Sequence, residues 1–155
     1  MRPQFARLVP RLPALTGWLR AWSRRRPASA PAALRDLEWD EFQRLVVEGF
    51  LRRGYHATGP FRSLTPGSDL LLRHQRETYL VHCKSWRHAK VDVDAVQALQ
   101  RAVLARGVNG GILVTTGRIG RHAARAGAVA RIQMIDGQAL EALVDAARER
   151  LASAG

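Results

Sequence analysis

The sequence predicts one α/β domain, built on a mixed sheet with helices on both faces, behind a basic N-terminal segment. Three observations predict it. A chain of 155 residues has room for one ordinary domain and not for two. Apolar residues make up 46% of it and charged residues 25%, proportions that suit a packed core in water and exclude a wholly disordered chain or a membrane bundle. Short apolar runs alternate with stretches of helical periodicity after an opening hairpin, in the order αββαβαβα. Each strand–helix–strand crossover of that order must lay its helix on the sheet.

Residues 1–35 read as a tail or linker, with the domain expected over residues 36–152. Prolines at 3, 10, 13, 27 and 31 exclude one long helix there. Within it Leu15, Trp18, Leu19 and Trp22 recur at i, i+3, i+4 and i+7, ahead of Arg24, Arg25 and Arg26. Residues 14–26 thus have the pattern of a short basic amphipathic helix, suited to an anionic membrane surface, to DNA or to the domain itself. The plainer reading is a disordered arm that packs its tryptophans on the domain. The tail holds eight arginines and no acid, so it carries +8 of the formal net charge of +12, and the remaining residues carry +4. Most of the cationic excess that would attract nucleic acid therefore belongs to the tail.

Cys83 is the only cysteine, which excludes an intrachain disulfide, and Arg7, Pro10, Arg11 and Pro13 interrupt any secretory apolar region. The expected compartment is the cytoplasm, with peripheral membrane association through residues 14–26 left open as an alternative.

The first element of the domain is a helix over residues 38–53. Asp36, Glu38, Asp40 and Glu41 sit where a helix N-terminus favours negative charge, and Gly54 follows Arg52 and Arg53 as a stop. At 100° per residue, Phe42, Val46, Val47 and Phe50 share one face, with Gln43 at its edge and Glu41 and Glu48 opposite. Asp69-Leu-Leu-Leu and Tyr79-Leu-Val-His-Cys then read as a β-hairpin, with the polar stretch Arg73–Thr78 as a loop longer than the tightest kind. Residues 92–106 place Val93, Val96, Val103 and Leu104 at helical spacing before Gly107. Gly111-Ile-Leu-Val-Thr is a buried strand, Arg118–Ala130 a helix, Ile132–Ile135 a strand and Gln138–Leu151 a closing helix.

The chemistry is carried by the hairpin. Alternation puts His82 and Lys84 on one face of their strand, and cross-hairpin pairing can bring Asp69 near both. A carboxylate there can hold Mg²⁺ with the Cys83 backbone carbonyl, because a hard ion takes oxygen ligands. Lys84 could then orient or help deprotonate a water. Taken alone, an acid and a later polar-x-Lys also arise from a hairpin with surface charges.

From about Leu37 to Val144, however, the chain resembles the Mrr-type branch of the restriction-endonuclease-like, or PD-(D/E)xK, superfamily. The matching pieces are Trp39-Asp-Glu-Phe42 with Gly54-Tyr55, Gly67-Ser-Asp69-Leu, Tyr79-Leu-Val-His-Cys-Lys84, Gly111-Ile-Leu-Val-Thr-Thr-Gly117 and Ile135-Asp-Gly-Gln-Ala-Leu140. The resemblance implies a three-layer sandwich around a mixed four-stranded sheet. It also implies a nuclease that hydrolyses DNA phosphodiester bonds with Mg²⁺ or Mn²⁺, in restriction or repair, and no small-molecule cofactor. Double-strand cutting would favour a homodimer or two binding events.

Residue by residue, the resemblance makes Asp69 the metal-binding acid and Lys84 the catalytic lysine. The middle position, Glu or Gln in the family, is His82 here, as an auxiliary ligand or polar orienter, and imidazole favours Mn²⁺ over Mg²⁺. The acid that the family's opening helix usually supplies aligns with Gln43. These two departures motivate the second reading, a catalytically impaired nuclease-fold module that binds DNA.

Gln97 is a candidate water or phosphate contact, against the plainer reading of a helix-edge amide. Ser85, Trp86, Arg87, His88 and Lys90 follow the lysine strand and would suit phosphate contact or base stacking, or form a solvated loop. Thr115-Thr116-Gly117-Arg118 joins a strand to a helix, where backbone N–H groups meet a phosphate or a hydroxyl caps the helix. Cys83 points away from His82 and Lys84, into the core. The histidines lack the spacing of a zinc site.

Overall fold

The computed structural model describes residues 32–58, 70–84 and 90–155. In chain order these form α1 (Ala32–Arg35), α2 (Trp39–Arg52), β1 (His56–Thr58), β2 (Leu70–His74), β3 (Glu77–Lys84), β4 (Lys90–Val91), α3 (Val93–Arg106), β5 (Gly110–Thr115), β6 (Arg118–Ile119), α4 (Arg121–Ala130), β7 (Ile132–Ile135) and α5 (Gly137–Ser153). The amphipathic pattern at residues 14–26 lies outside the described residues.

The main sheet runs β1-β2-β3-β5-β7, with antiparallel pairing from β1 to β3 and parallel pairing from β3 to β7. The four expected strands are all in it. The expected count is corrected by one, because β1 adds an edge strand, pairing His56 with Arg73 and Thr58 with Leu71. His-Ala-Thr is too short for alternation to declare itself, and its extended form is set by the partner strand.

Two further expectations are corrected. The helix foreseen from Arg118 begins at Arg121; Arg118–Ile119 instead pairs in parallel with Lys90–Val91 as a separate two-stranded ribbon. Burial of Val91 and Ile119 drives that pairing. The hairpin loop is also the tight two-residue kind, Gln75-Arg76, between the paired residues His74 and Glu77. Gln75 takes φ +53°, a left-handed conformation that no Asn-Gly or Asp-Gly announces.

Helix ends follow local chemistry. Gly54, at φ +87°, turns the chain out of α2. The Asp92 side chain accepts the Ala95 N–H at 3.2 Å to cap α3, which Gly107 ends at φ +63°.

Two cores separate the layers. Phe42, Val46, Phe50, Leu140 and Leu143 of α2 and α5 pack on Tyr79, Val81, Ile112, Val114 and Ile135. Val96, Leu99 and Ala123 of α3 and α4 pack on Leu80, Leu113 and Ile132, together with Val91 and Ile119 of the ribbon. Successive residues of β3 thus point alternately into the two layers. Leu34 of α1 is buried in the first core, so packing begins within the segment read as a tail. Among the described residues no helix is long and apolar enough to cross a membrane.

Candidate active site

β3 is the strand where antiparallel pairing gives way to parallel. Leu80 lies in the α3/α4 core, and two-residue alternation places His82 and Lys84 on the same face, both half-buried. Their Cα partners on β5 are Leu113 and Thr115. Asp69 lies outside the described residues. It is bonded to Leu70, whose partner Val81 immediately precedes His82.

Cys83 packs against the α2/α5 core, as expected. Burial pushes its thiol up to about 12, so it is neutral at physiological pH and no nucleophile. Its backbone carbonyl remains the atom of interest, between the two site side chains.

The structure does not bring Gln43 to the His82–Lys84 face. Gln43 belongs to α2, in the layer that packs on Val81 and Cys83, and it is only 4% exposed. Its Oε1 and the Nε1 of Trp39, one helical turn earlier, are buried without a hydrogen-bond partner. Helical phase alone puts this amide at the edge of the apolar face; packing of α2 against both α5 and the sheet extends burial over it.

Gln97 is exposed on α3, while Gln100 is half-buried. Lys90 is exposed on β4 beside Arg118. Ser85, Trp86, Arg87 and His88 lie outside the described residues. Among the described residues no group of three His, Cys, Asp or Glu side chains could hold a metal.

Parallel pairing puts the carboxyl ends of β3, β5 and β7 on one edge of the sheet. Lys84 is partner to Thr115, and Val114 to Ile135, so Lys84, Thr115 and Asp136 succeed one another across that edge. Thr115 is fully buried and its Oγ1 accepts the Gly117 N–H at 3.0 Å, tightening the turn into β6. Thr116 is also fully buried, and its hydroxyl has no partner. The Asp136 carboxylate accepts the backbone N–H of Ile119, but its Oδ2 is buried without a partner.

Desolvation pushes Asp136 up to about 6, against the lowering effect of the Ile119 N–H. In the sequence Asp136 stands inside the Ile135-Asp-Gly-Gln-Ala-Leu140 motif, where no spacing singles it out. The available signal was an acid at the end of a buried strand, between Ile135 and Gly137.

Retaining an acid here weakens the fold near neutral pH. The folded protein holds the Asp136 proton to a higher pH than the unfolded chain does. Its contribution to stability is therefore full below pH about 4 and is lost as the pH rises through about 6. Asp136→Asn removes the charge and keeps one acceptor for Ile119. Because the carboxylate is partly solvated and its charge partly screened, the substitution is expected to raise stability at pH 8 by about 1–2 kcal/mol, with the gain shrinking towards pH 4. Thermal melts of both proteins across this range check it, and a difference that widens on acidification would contradict the assignment.

A mixed sheet covered by helices on both faces, with a lysine ending the strand at the antiparallel-to-parallel junction, is the architecture of a restriction-endonuclease-type nuclease. The family model Mrr_cat, described as restriction endonuclease, matches residues 34–144, and the chain belongs to that family. The Mrr-type resemblance and the fold class read from the sequence are both borne out, and the domain implies DNA as substrate. No curated protein and no solved structure matches the chain.

Proposed function

We propose that this chain is a divalent-metal-dependent endodeoxyribonuclease acting in DNA restriction or repair. The observation that carries the reading is Lys84. In a chain of this family, it ends the junction strand of the sheet, half-buried, on the same face as His82.

The ligands would be the Asp69 carboxylate, the Cys83 backbone carbonyl and the His82 imidazole. A set with one carboxylate and one nitrogen suits Mn²⁺ better than Mg²⁺. The bound ion supplies Lewis acidity towards the phosphate and an acidified water. Lys84 holds the attacking water by its ammonium group and offsets negative charge developing on the phosphate. Its half-buried setting strengthens both effects relative to bulk water. In this reading double-strand cutting takes two copies of the site, in a homodimer or in two binding events, and the basic segment 14–26 adds a nonspecific hold.

Two departures from the family pattern, His82 at the middle position and Gln43 where the opening helix usually supplies an acid, favour a second reading: a nuclease-fold module that binds DNA and does not cut it. Plasmid incubated with the purified protein separates the two. The first reading expects nicking that Mn²⁺ supports better than Mg²⁺, that EDTA stops and that Asp69→Ala abolishes. Cutting that survives Asp69→Ala would overturn the site, and no cutting with any metal would leave the second reading.

A further inference from the structure

The +4 charge of residues 36–155 is unevenly placed. Residues 95–135 contain six arginines and no acid, whereas residues 36–53 hold five acids against three arginines, and α5 three against two. The fold assigns these segments to opposite faces. α3 and α4 cover one side of the sheet, α2 and α5 the other. A cationic layer is thus separated from an anionic one, although Asp92 and Asp94 stand at the start of α3 and the Asp136 carboxylate reaches the Ile119 N–H of the ribbon.

The densest part of the cationic layer runs along β4, β6 and α4. Val91 and Ile119 are buried, so their strand neighbours Lys90 and Arg118, which are register partners, project side by side into solvent. A Cβ built on Gly120 would stand 2.8 Å from the Cε of Lys90, so the lysine stem lies across the start of α4. There Arg121 and Arg125 are exposed one helical turn apart, with no acid in the first turn. Among the described residues none of these four cations has an acidic partner. The ion pairs Arg150–Glu48 (2.8 Å) and Arg148–Asp145 (3.8 Å) both join residues of the opposite layer.

Four neighbouring cations without an acidic partner among the described residues repel one another in the free protein, and a polyanion relieves that cost. Among the described residues of the strip Val129, at the far end of α4, is the one large exposed apolar side chain, and no aromatic or leucine joins it to insert into lipid, which argues for a phosphate chain over a membrane. The strip also begins beside the active site. Arg118 lies three residues after Thr115, the partner of Lys84, hence within roughly 11 Å of it between Cα atoms.

We propose that Lys90, Arg118, Arg121 and Arg125 form the track that holds the phosphate backbone of duplex DNA as it passes Lys84. This rests on the DNA reading above and extends it with a binding surface.

The test measures binding of a labelled duplex to the full chain by anisotropy, in EDTA, over a salt series from about 50 to 200 mM. The triple variant Arg118→Ala/Arg121→Ala/Arg125→Ala is compared with Arg44→Ala/Arg52→Ala/Arg148→Ala, which removes three exposed cations from the opposite layer. Thermal melts confirm that both fold. The first variant is expected to bind at least tenfold more weakly at low salt. The slope of log K against log salt should also fall by about 2–3, since each phosphate contact contributes about 0.9. The control is expected to keep wild-type affinity and slope. The track is overturned by wild-type binding in the first variant, by equal losses in the two variants, or by a wild-type chain that binds no duplex. Because no metal is present, binding is read apart from cleavage: a chain that binds through the strip here but cuts no plasmid with any metal would sink the nuclease chemistry alone.

Discussion

Lys84→Ala is expected to slow DNA cleavage by roughly 10²–10⁴-fold, the range typical of a positioned group that acts in the transition state. β3 sets the position of this residue. Lys84 is the last residue of that strand, and register to Thr115 fixes its backbone from one side. A lysine so held is half-buried, where its charge acts through less water than at the surface. The loss should fall on kcat more than on KM, because the ammonium matters most where charge develops on the phosphate. Burial is partial and the residue ends its strand, so the variant should melt within a few degrees of wild type. Single-turnover cleavage in Mn²⁺ beside a thermal melt checks both statements. A folded Lys84→Ala protein that cuts at the wild-type rate would remove Lys84 from the chemistry.

How much of this was legible before folding depended on whether the signal was local. The α2 and α3 helices announced themselves through acidic starts, glycine ends and periodic valines, and the structure places both within a residue or two of the reading. β5 was legible because an apolar run flanked by glycines has few other fates. β1 and β6 were not, since two or three residues carry no period and their extended form comes from partners distant in sequence.

The site divides in the same way. His82, Cys83 and Lys84 were assigned to alternate faces by strand geometry alone, and the two cores agree. Asp136 escaped, because its raised proton affinity comes from desolvation at the junction of β7 and α5, which no neighbour in sequence reports. The cationic strip escaped for a related reason. Its net charge was modest in the count over the whole body, and only the separation of layers concentrates it on one face.

Gly49→Ala is expected to destabilise the protein by about 2–3 kcal/mol, although alanine is the better helix former by about 1 kcal/mol. Gly49 lies in the buried face of α2 where that helix crosses α5. A Cβ there would stand 2.8 Å from the Cγ and Cδ1 of Leu143, and closer still to the Leu143 backbone carbonyl oxygen. The side chain of Leu143 can turn aside, but the carbonyl belongs to the ladder of α5 and moves only with the helix. The two helices must therefore separate along a contact that includes Phe42, Val46, Phe50, Leu140 and Ala147, and each of these loses close packing.

The Glu48–Arg150 bridge at 2.8 Å spans the same crossing, but its arginine is about half exposed, so the pair is screened and contributes little towards holding the helices together. The expected loss corresponds to a melting temperature lower by about 5–12 °C for a chain of this size. An unchanged or higher melting temperature would mean that α2 and α5 accommodate a methyl group freely. The consequence reaches the carboxyl-end edge of the sheet, since α5 begins immediately after Asp136. A shift between these helices displaces the residues that flank the carboxyl ends of the parallel strands. Gly49→Ala should therefore impair cleavage at temperatures well below its own melting point, without touching a residue of the site.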